Sequence, residues 1–427
     1  MKKVKKIILV GLALALSVGT LVGCTNSKNN KKNEVAKESS VKQTEHVTLK
    51  FFVPGYTDPT FGKAYDATLK AFEKAHPEIK IDLMGTGWGQ YQKMMSMIQA
   101  GDAPDIMITG SRNLNQLSEL GAIEQLDQYV TDERKAEYIE SVLDTGKVNG
   151  KQFGLPTGFS SRALYYRKDL IKEAPKTWDE LVEISKKIEE ENPGMKGFAI
   201  PGAPESSTIA QLFNFFYQNG AKAFDETGKP VINSPEAVEA FQFYTDLYKK
   251  HNVVPNPVEI TRSNFADLFK SGQIAMFVSG PWEKNRMQLE PDNDKTPYGV
   301  ALLPKGKQYG ETLVTDSITI SSQCENKEAA AMFIEFFTAC EYQNKFDGTV
   351  GFFPIFKAEA EEERYNNDFL KPFVEIIQYG QPEPNPLVWD EFEEIVVKAI
   401  QKTMLGEATA EEALNEAQKL LEESMKK

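Results

Sequence analysis

Residues 80–121 read KIDLMGTGWGQYQKMMSMIQAGDAPDIMITGSRNLNQLSELG. A short β-rich run, KIDLMG (80–85), gives way to a helical pattern, YQKMMSMIQAG (91–101). The exchange repeats with DIMITG (105–110) and LNQLSELG (114–121), and it begins upstream with VTLKFFV (47–53) and ATLKAFEKAH (67–76). Strand and helix in regular alternation imply crossover units and a mostly parallel sheet flanked by helices, an α/β fold. The GTGWG between the first pair invites comparison with a dinucleotide fingerprint. Its spacing is G-x-G-x-G and not G-x-G-x-x-G, and no acidic residue stands in the usual relation to a second strand, so nucleotide binding is set aside.

The chain has 427 residues, too many for one ordinary core, and two lobes are expected. From residue 156 the pattern turns helix-rich. TWDELVEISKKIEEE (177–191) opens with Thr177 as N-cap and Glu180 three residues on, a capping box. STIAQLFNFFYQNG (207–220) and SPEAVEAFQFYTDLYKKH (234–251) carry aromatic stripes at helical spacing, which mark core faces. Strands return at IAMFV (274–278), YGVALLP (298–304) and LVTDSITIS (313–321), and the chain ends in helices. Gly and Pro interrupt LPTGF (155–159), LLPKG (302–306) and GFFP (351–354), the candidate hinge crossings.

At the N-terminus a basic MKKVKK precedes the apolar IILVGLALALSVGTLVG and then Cys24. Met1 to Gly23 reads as an export signal, and LVGC resembles a bacterial lipobox, whose cysteine is lipid-modified (palmitate) and heads the mature chain. The alternative is a retained membrane anchor, although the apolar run falls short of the roughly 20 residues a span needs. Either reading puts the body of the protein outside the cytoplasm, on the extracytoplasmic face of the cell membrane. Residues 24–46 are too poor in apolar side chains to fold and form a tether of roughly 26 Å reach. Loss of Lys2, Lys3, Lys5 and Lys6 with the leader leaves 45 basic against 62 acidic residues, net −17, the wrong sign for a nucleic-acid binder. Cys324 and Cys340 flank one helical pattern that separates them by about 24 Å, which predicts two free thiols.

AGDAPDI (100–106), NGKQFGLPTGFSSRALYYRKDL (149–170), PKTWDEL (175–181), FKSGQIAMFVSGPW (269–282), YGVALLPKG (298–306) and EPNPLVW (383–389) occur in this order. Together they resemble the extracellular (family 1) solute-binding proteins of sugar ABC transporters, the family that includes maltose-binding protein. The resemblance implies a two-lobe periplasmic-binding-protein fold of type II with a hinged ligand cleft. It implies lobes of 47–157 plus 303–352 and 158–302 plus 353–427, and a receptor that hands a carbohydrate to a membrane permease and its ATPase. No catalysis, cofactor or metal is implied, and the expected state is a monomer held to the membrane through Cys24.

A sugar ring offers an apolar face and an equator of hydroxyls, so its site needs flat aromatic surface ringed by planar polar groups. Trp282, after the SGP break, and Trp389, after PNP, match cleft aromatics of the family. Arg112 follows the DIMIT strand at a position for charged sugar-binding residues. Ser160 and Ser161 match a ligand-contact position that holds a carboxylate in maltose-binding protein, and Tyr56 matches another with a different residue type. Trp88 is a candidate further platform, Glu205 and Ser206 lie in a candidate cleft loop, and Asp316 and Asp390 complete the set.

Three rivals have sequence support of their own. A carbohydrate-active enzyme needs two carboxyl groups, and Asp390 with Glu394 on one helix face is such a pair, yet no G-x-S-x-G or H-E-x-x-H pattern accompanies the three histidines. A metal or iron receptor on the same fold would use Tyr165 and Tyr166, but neighbours on a strand point to opposite faces. A surface adhesin would bind ligand without domain closure.

Overall fold

Asp58 and Pro59 set the first helix earlier than the apolar periodicity from 67 indicates. The Asp58 carboxylate accepts the Thr60 amide at 2.9 Å and Pro59 takes the first helical position, so the helix runs Pro59–Ala75 (α1). It follows strand β1 (Val47–Val53) and precedes β2 (Ile79–Gly85), helix α2 (Tyr91–Gln99) and β3 (Ile106–Gly110). This computed structural model describes residues 46–225, 228–387 and 389–426. The leader expected over 1–23, the lipidation of Cys24 and almost all of the 24–46 tether lie outside the described residues. Among the described residues no helix is long and apolar enough to cross a membrane.

β1 pairs in parallel with β2 and with β3. Because successive side chains point to opposite faces, Leu49, Phe51 and Val53 enter one core with Phe72 and Phe333, while Phe52 enters another with Met94, Met107 and Leu117. Both faces of this sheet are thus covered, as the alternating pattern predicts.

The chain continues through β4 (Leu155–Ser160), β5 (Ala163–Arg167), α3 (Trp178–Glu191), α4 (Ser206–Gln218) and α5 (Pro235–Lys249). It then forms β6 (Met276–Ser279), β7 (Tyr298–Ala301), β8 (Glu311–Ile320), α6 (Lys327–Phe337) and α7 (Cys340–Val350). The last elements are β9 (Gly380–Pro382), α8 (Trp389–Met404) and α9 (Ala410–Ser424). The larger sheet has the order β9-β8-β3-β1-β2, with β4 also on β8. β8 is antiparallel to β3 and β4 and parallel to β9, so the sheet is mixed around a parallel centre. The smaller sheet, β6-β5-β7, is antiparallel, with parallel bridges Lys196–Ile274 and Thr177–Lys305 outside its named strands.

β4 belongs to the larger sheet and β5 to the smaller, with only Ser161 and Arg162 between them. The crossing therefore falls just after LPTGF, which is itself strand. Adjacent Asp316 and Ser317 on β8 pair with Gly158 and Pro156, so Thr157 of β4 is the bulged residue that absorbs the irregularity. At α3 the Thr177 hydroxyl accepts the Glu180 amide at 3.2 Å, but the Glu180 carboxylate turns to the Lys176 amide at 2.6 Å, one residue before the expected partner. Cys324 is buried, Cys340 half-buried, and both are free, with α6 between them.

Candidate ligand-binding site

β6 ends at Ser279, and Gly280-Pro281 turn the chain so that Trp282 folds back over Gly280. A Cβ on Gly280 would lie 2.3 Å from the indole, so this close approach requires glycine. The Tyr165 hydroxyl, donating to the Gly280 carbonyl at 2.8 Å, pins the turn from the neighbouring strand. The half-buried indole meets Phe352 edge-on at 6.4 Å, Phe352 meets Phe61 at 5.4 Å, and Phe61 meets Trp88 at 5.1 Å. A file of four rings thus runs from the turn after the smaller sheet to the loop after β2, where Trp88 is 47% exposed.

Guanidinium groups lie over both candidate platforms. Arg162 stands 4.8 Å and Arg262 5.9 Å from the Trp282 ring centre, and Arg112 stands 5.0 Å from that of Trp389. Arg112 is held by Glu383 at 2.9 Å, and Arg162 reaches the Ser160 hydroxyl at 2.9 Å while its own amide donates to Glu311. Arg286 and Ser279 hold Glu283 at 2.8 and 2.9 Å. Burial pushes Asp316 up to about 6, against the pull of Arg112 and with the help of Glu383. Burial also raises Glu311 far above the carboxylate range and Glu205 above its ordinary value. Among the described residues, the Nε atoms of Arg112 and Arg162 and Oε2 of Glu311 are buried without partners. Such atoms are expensive to leave unmatched, and they suit a ligand rich in hydroxyls.

The predicted residues divide into three groups. Trp282, Arg112, Asp316, Ser160 and Glu205 share this charged network, Glu205 accepting from Ser207 and, at 3.3 Å, from the Arg262 amide. Trp389 is 3% exposed, one wall of the helical core, with its indole N–H on Glu393 at 3.0 Å and Arg112 over its ring. Asp390, raised by burial and opposed by Arg112, borders the same group. The others are engaged elsewhere. Ser161 is fully buried with its hydroxyl on the Phe373 carbonyl at 2.8 Å, fastening the crossing. Tyr56 donates to Asp66 on α1 at 2.8 Å, and half-buried Ser206 opens α4. Trp88 joins the site only through the ring file.

Sequence reasoning passed over Arg162, Arg262, Glu311, Glu383 and Phe352. Arg162 carried a signal, a lone charge between two serines and the apolar ALYY of a strand, and Phe352 sat in a quoted hinge segment. Glu383 opened the quoted EPNPLVW, whereas Arg262 and Glu311 have no local mark.

The rival constellations have other surroundings. Glu394 is 70% exposed and pairs with Lys398 at 3.2 Å, whereas the Asp390 carboxyl is half-buried and raised by that burial against the pull of Arg112. Tyr165 is fully buried and stacked on Phe277 at 4.8 Å. Among the described residues no group of three or more His, Cys, Asp or Glu is placed to hold a metal ion. A cavity of about 800 Å³ has Asn115, Tyr217, Phe224, Tyr379 and Pro382 in its lining, and none of the predicted site residues lines it.

Residues 57–344 match the family model for bacterial extracellular solute-binding protein. Among curated proteins, the chain is 31% identical over 365 residues to a binding protein of Brucella abortus (strain 2308), covering 83% of this chain and 88% of that one. It is 26% identical over 390 residues to the maltooligosaccharide ABC transporter solute-binding lipoprotein of Streptococcus pneumoniae (strain ATCC BAA-255 / R6), covering 87% and 88%. Among solved structures, an ABC substrate-binding protein from Listeria monocytogenes in complex with cycloalternan superposes with a TM-score of 0.79 at 25% identity, covering 89% of this chain and 99% of that one.

Proposed function

The chain belongs to the bacterial extracellular solute-binding proteins, and from that premise we propose that it is the carbohydrate receptor of an ABC importer. It binds a sugar, releases it unaltered to a membrane permease driven by an ATPase, and is held to the extracytoplasmic face of the membrane by a lipid on Cys24. The observation that carries the reading is the Trp282 turn. An indole of constrained orientation stands among Arg162, Arg262 and Phe352, with buried polar atoms on Arg112, Arg162 and Glu311 that no described residue satisfies. Flat apolar surface beside planar donors is the complement of a pyranose. The maltooligosaccharide and cycloalternan named for two of the relatives support an oligosaccharide ligand.

The lobes of this reading are 47–157 with 303–352 and 158–302 with 353–427, and Gly380–Pro382 returns to β8 of the first. Ligand binding draws them together, and the receptor acts as a monomer. A thermal-shift panel of neutral and acidic oligosaccharides tests the proposal. A bound sugar at 100 times its dissociation constant stabilises the protein by about 2.7 kcal/mol. A panel in which no sugar moves the melting point contradicts it.

A further inference from the structure

Resting on the carbohydrate-receptor reading, we infer that the ligand carries a carboxylate, as in a hexuronate oligosaccharide, and that Arg162 and Arg262 beside Trp282 receive it. The two arginines approach one indole, at 4.8 and 5.9 Å, and neither guanidinium has a carboxylate oxygen within 4.0 Å among the described residues. Arg162 is 3% exposed and its Nε has no partner. The surrounding acids are committed to other donors. Glu383 holds Arg112, Glu283 holds Arg286 and Ser279, Glu205 takes Ser207 and the Arg262 amide, and Glu311 takes the Arg162 amide.

Two like charges beside one half-buried ring repel. Burial and then the repulsion of Arg262 pull the Arg162 guanidinium down to about 9, against the attraction of Glu311, Glu383 and Asp316. A buried charge without a countercharge in contact is among the costliest features a fold can keep, and the hydrogen bonds of Arg162 to the Ser160 hydroxyl and the Ser161 carbonyl supply none. A neutral sugar leaves that cost standing, because hydroxyls bring dipoles and no countercharge. A carboxylate removes it and fits the guanidinium fork with two parallel hydrogen bonds. On a hexuronate the carboxylate projects from the ring edge, so a pyranose laid against Trp282 presents its anion beside the ring, where the arginines stand.

Calorimetry with matched trisaccharides tests the inference: trigalacturonate against galactotriose, trimannuronate against mannotriose, triglucuronate against cellotriose, and maltotriose as a further neutral probe. The expected result is that at least one acid binds at least about tenfold more tightly than its neutral counterpart. Arg262→Gln, a change at a half-buried position, then abolishes the preference. The wild-type comparison decides by itself should the variant fail to fold. If neutral sugars bind and the acids bind no better, or if the preference survives Arg262→Gln, the inference is overturned while the carbohydrate-receptor reading stands. If no sugar of either series binds, both fall.

Discussion

Gly280 and Trp282 are coupled by contact, since the indole occupies the space a side chain on residue 280 would need. Gly280→Ala forces the ring out of its seat, and a misplaced platform costs affinity without a missing atom. Sugar affinity is expected to fall at least about tenfold by calorimetry, with the smaller sheet intact by circular dichroism. Asp316 supplies the pH prediction. Its folded value of about 6 stands above its ordinary 3.8, so its contribution to stability is full below 3.8 and is lost as the pH rises through 6. Urea denaturation should show wild type losing stability relative to Asp316→Asn between about pH 4 and 6, and a constant difference above. A difference that does not change with pH would place Asp316 outside the buried charge network. The individual residues of this network were the least legible part of the sequence. Arg112 was named from the sequence, but a buried charge is recognised by its neighbours, and Arg162, Arg262, Glu311 and Glu383 come from four segments that only the fold brings together.

Single elements read far better, because their signals are local. The alternation of Leu49, Phe51 and Val53 against Phe52 encodes a strand buried on both faces, and it packs that way. Phe51→Ala removes the ring that meets Phe333 at 5.0 Å and Phe337 at 5.5 Å, and should cost about 3–5 kcal/mol in chemical denaturation. Asp58→Ala should cost about 1 kcal/mol through the lost cap of α1. The limits of local reading appear at the same scale. The start of α1 escaped the periodicity because a cap and a proline set it, not an apolar stripe. β9, three residues long, gave no pattern at all, since GQP becomes a strand only through its pairing with Glu311, Thr312 and Leu313.

At the scale of the molecule, two sheets are joined through a two-residue crossing at Ser161 and Arg162, and the same arginine faces Trp282. A crossing that carries a ligand-facing charge ties binding to the relative setting of the two sheets. The motif order in the sequence made this architecture legible, because six short segments in sequence constrain a whole chain more tightly than any one of them. The chemistry of the ligand was not legible, because the polar positions differ from those of maltose-binding protein. Solution scattering with and without a bound sugar should show a smaller radius of gyration in its presence, as closure requires. Trp282 as the surface that holds the sugar is tested most directly by paired calorimetric titrations of wild type and Trp282→Ala with the tightest sugar of the panel. The predicted result is a loss of about 2 kcal/mol or more in the variant, with an unchanged melting point in the absence of sugar; equal affinity in the two proteins would contradict it.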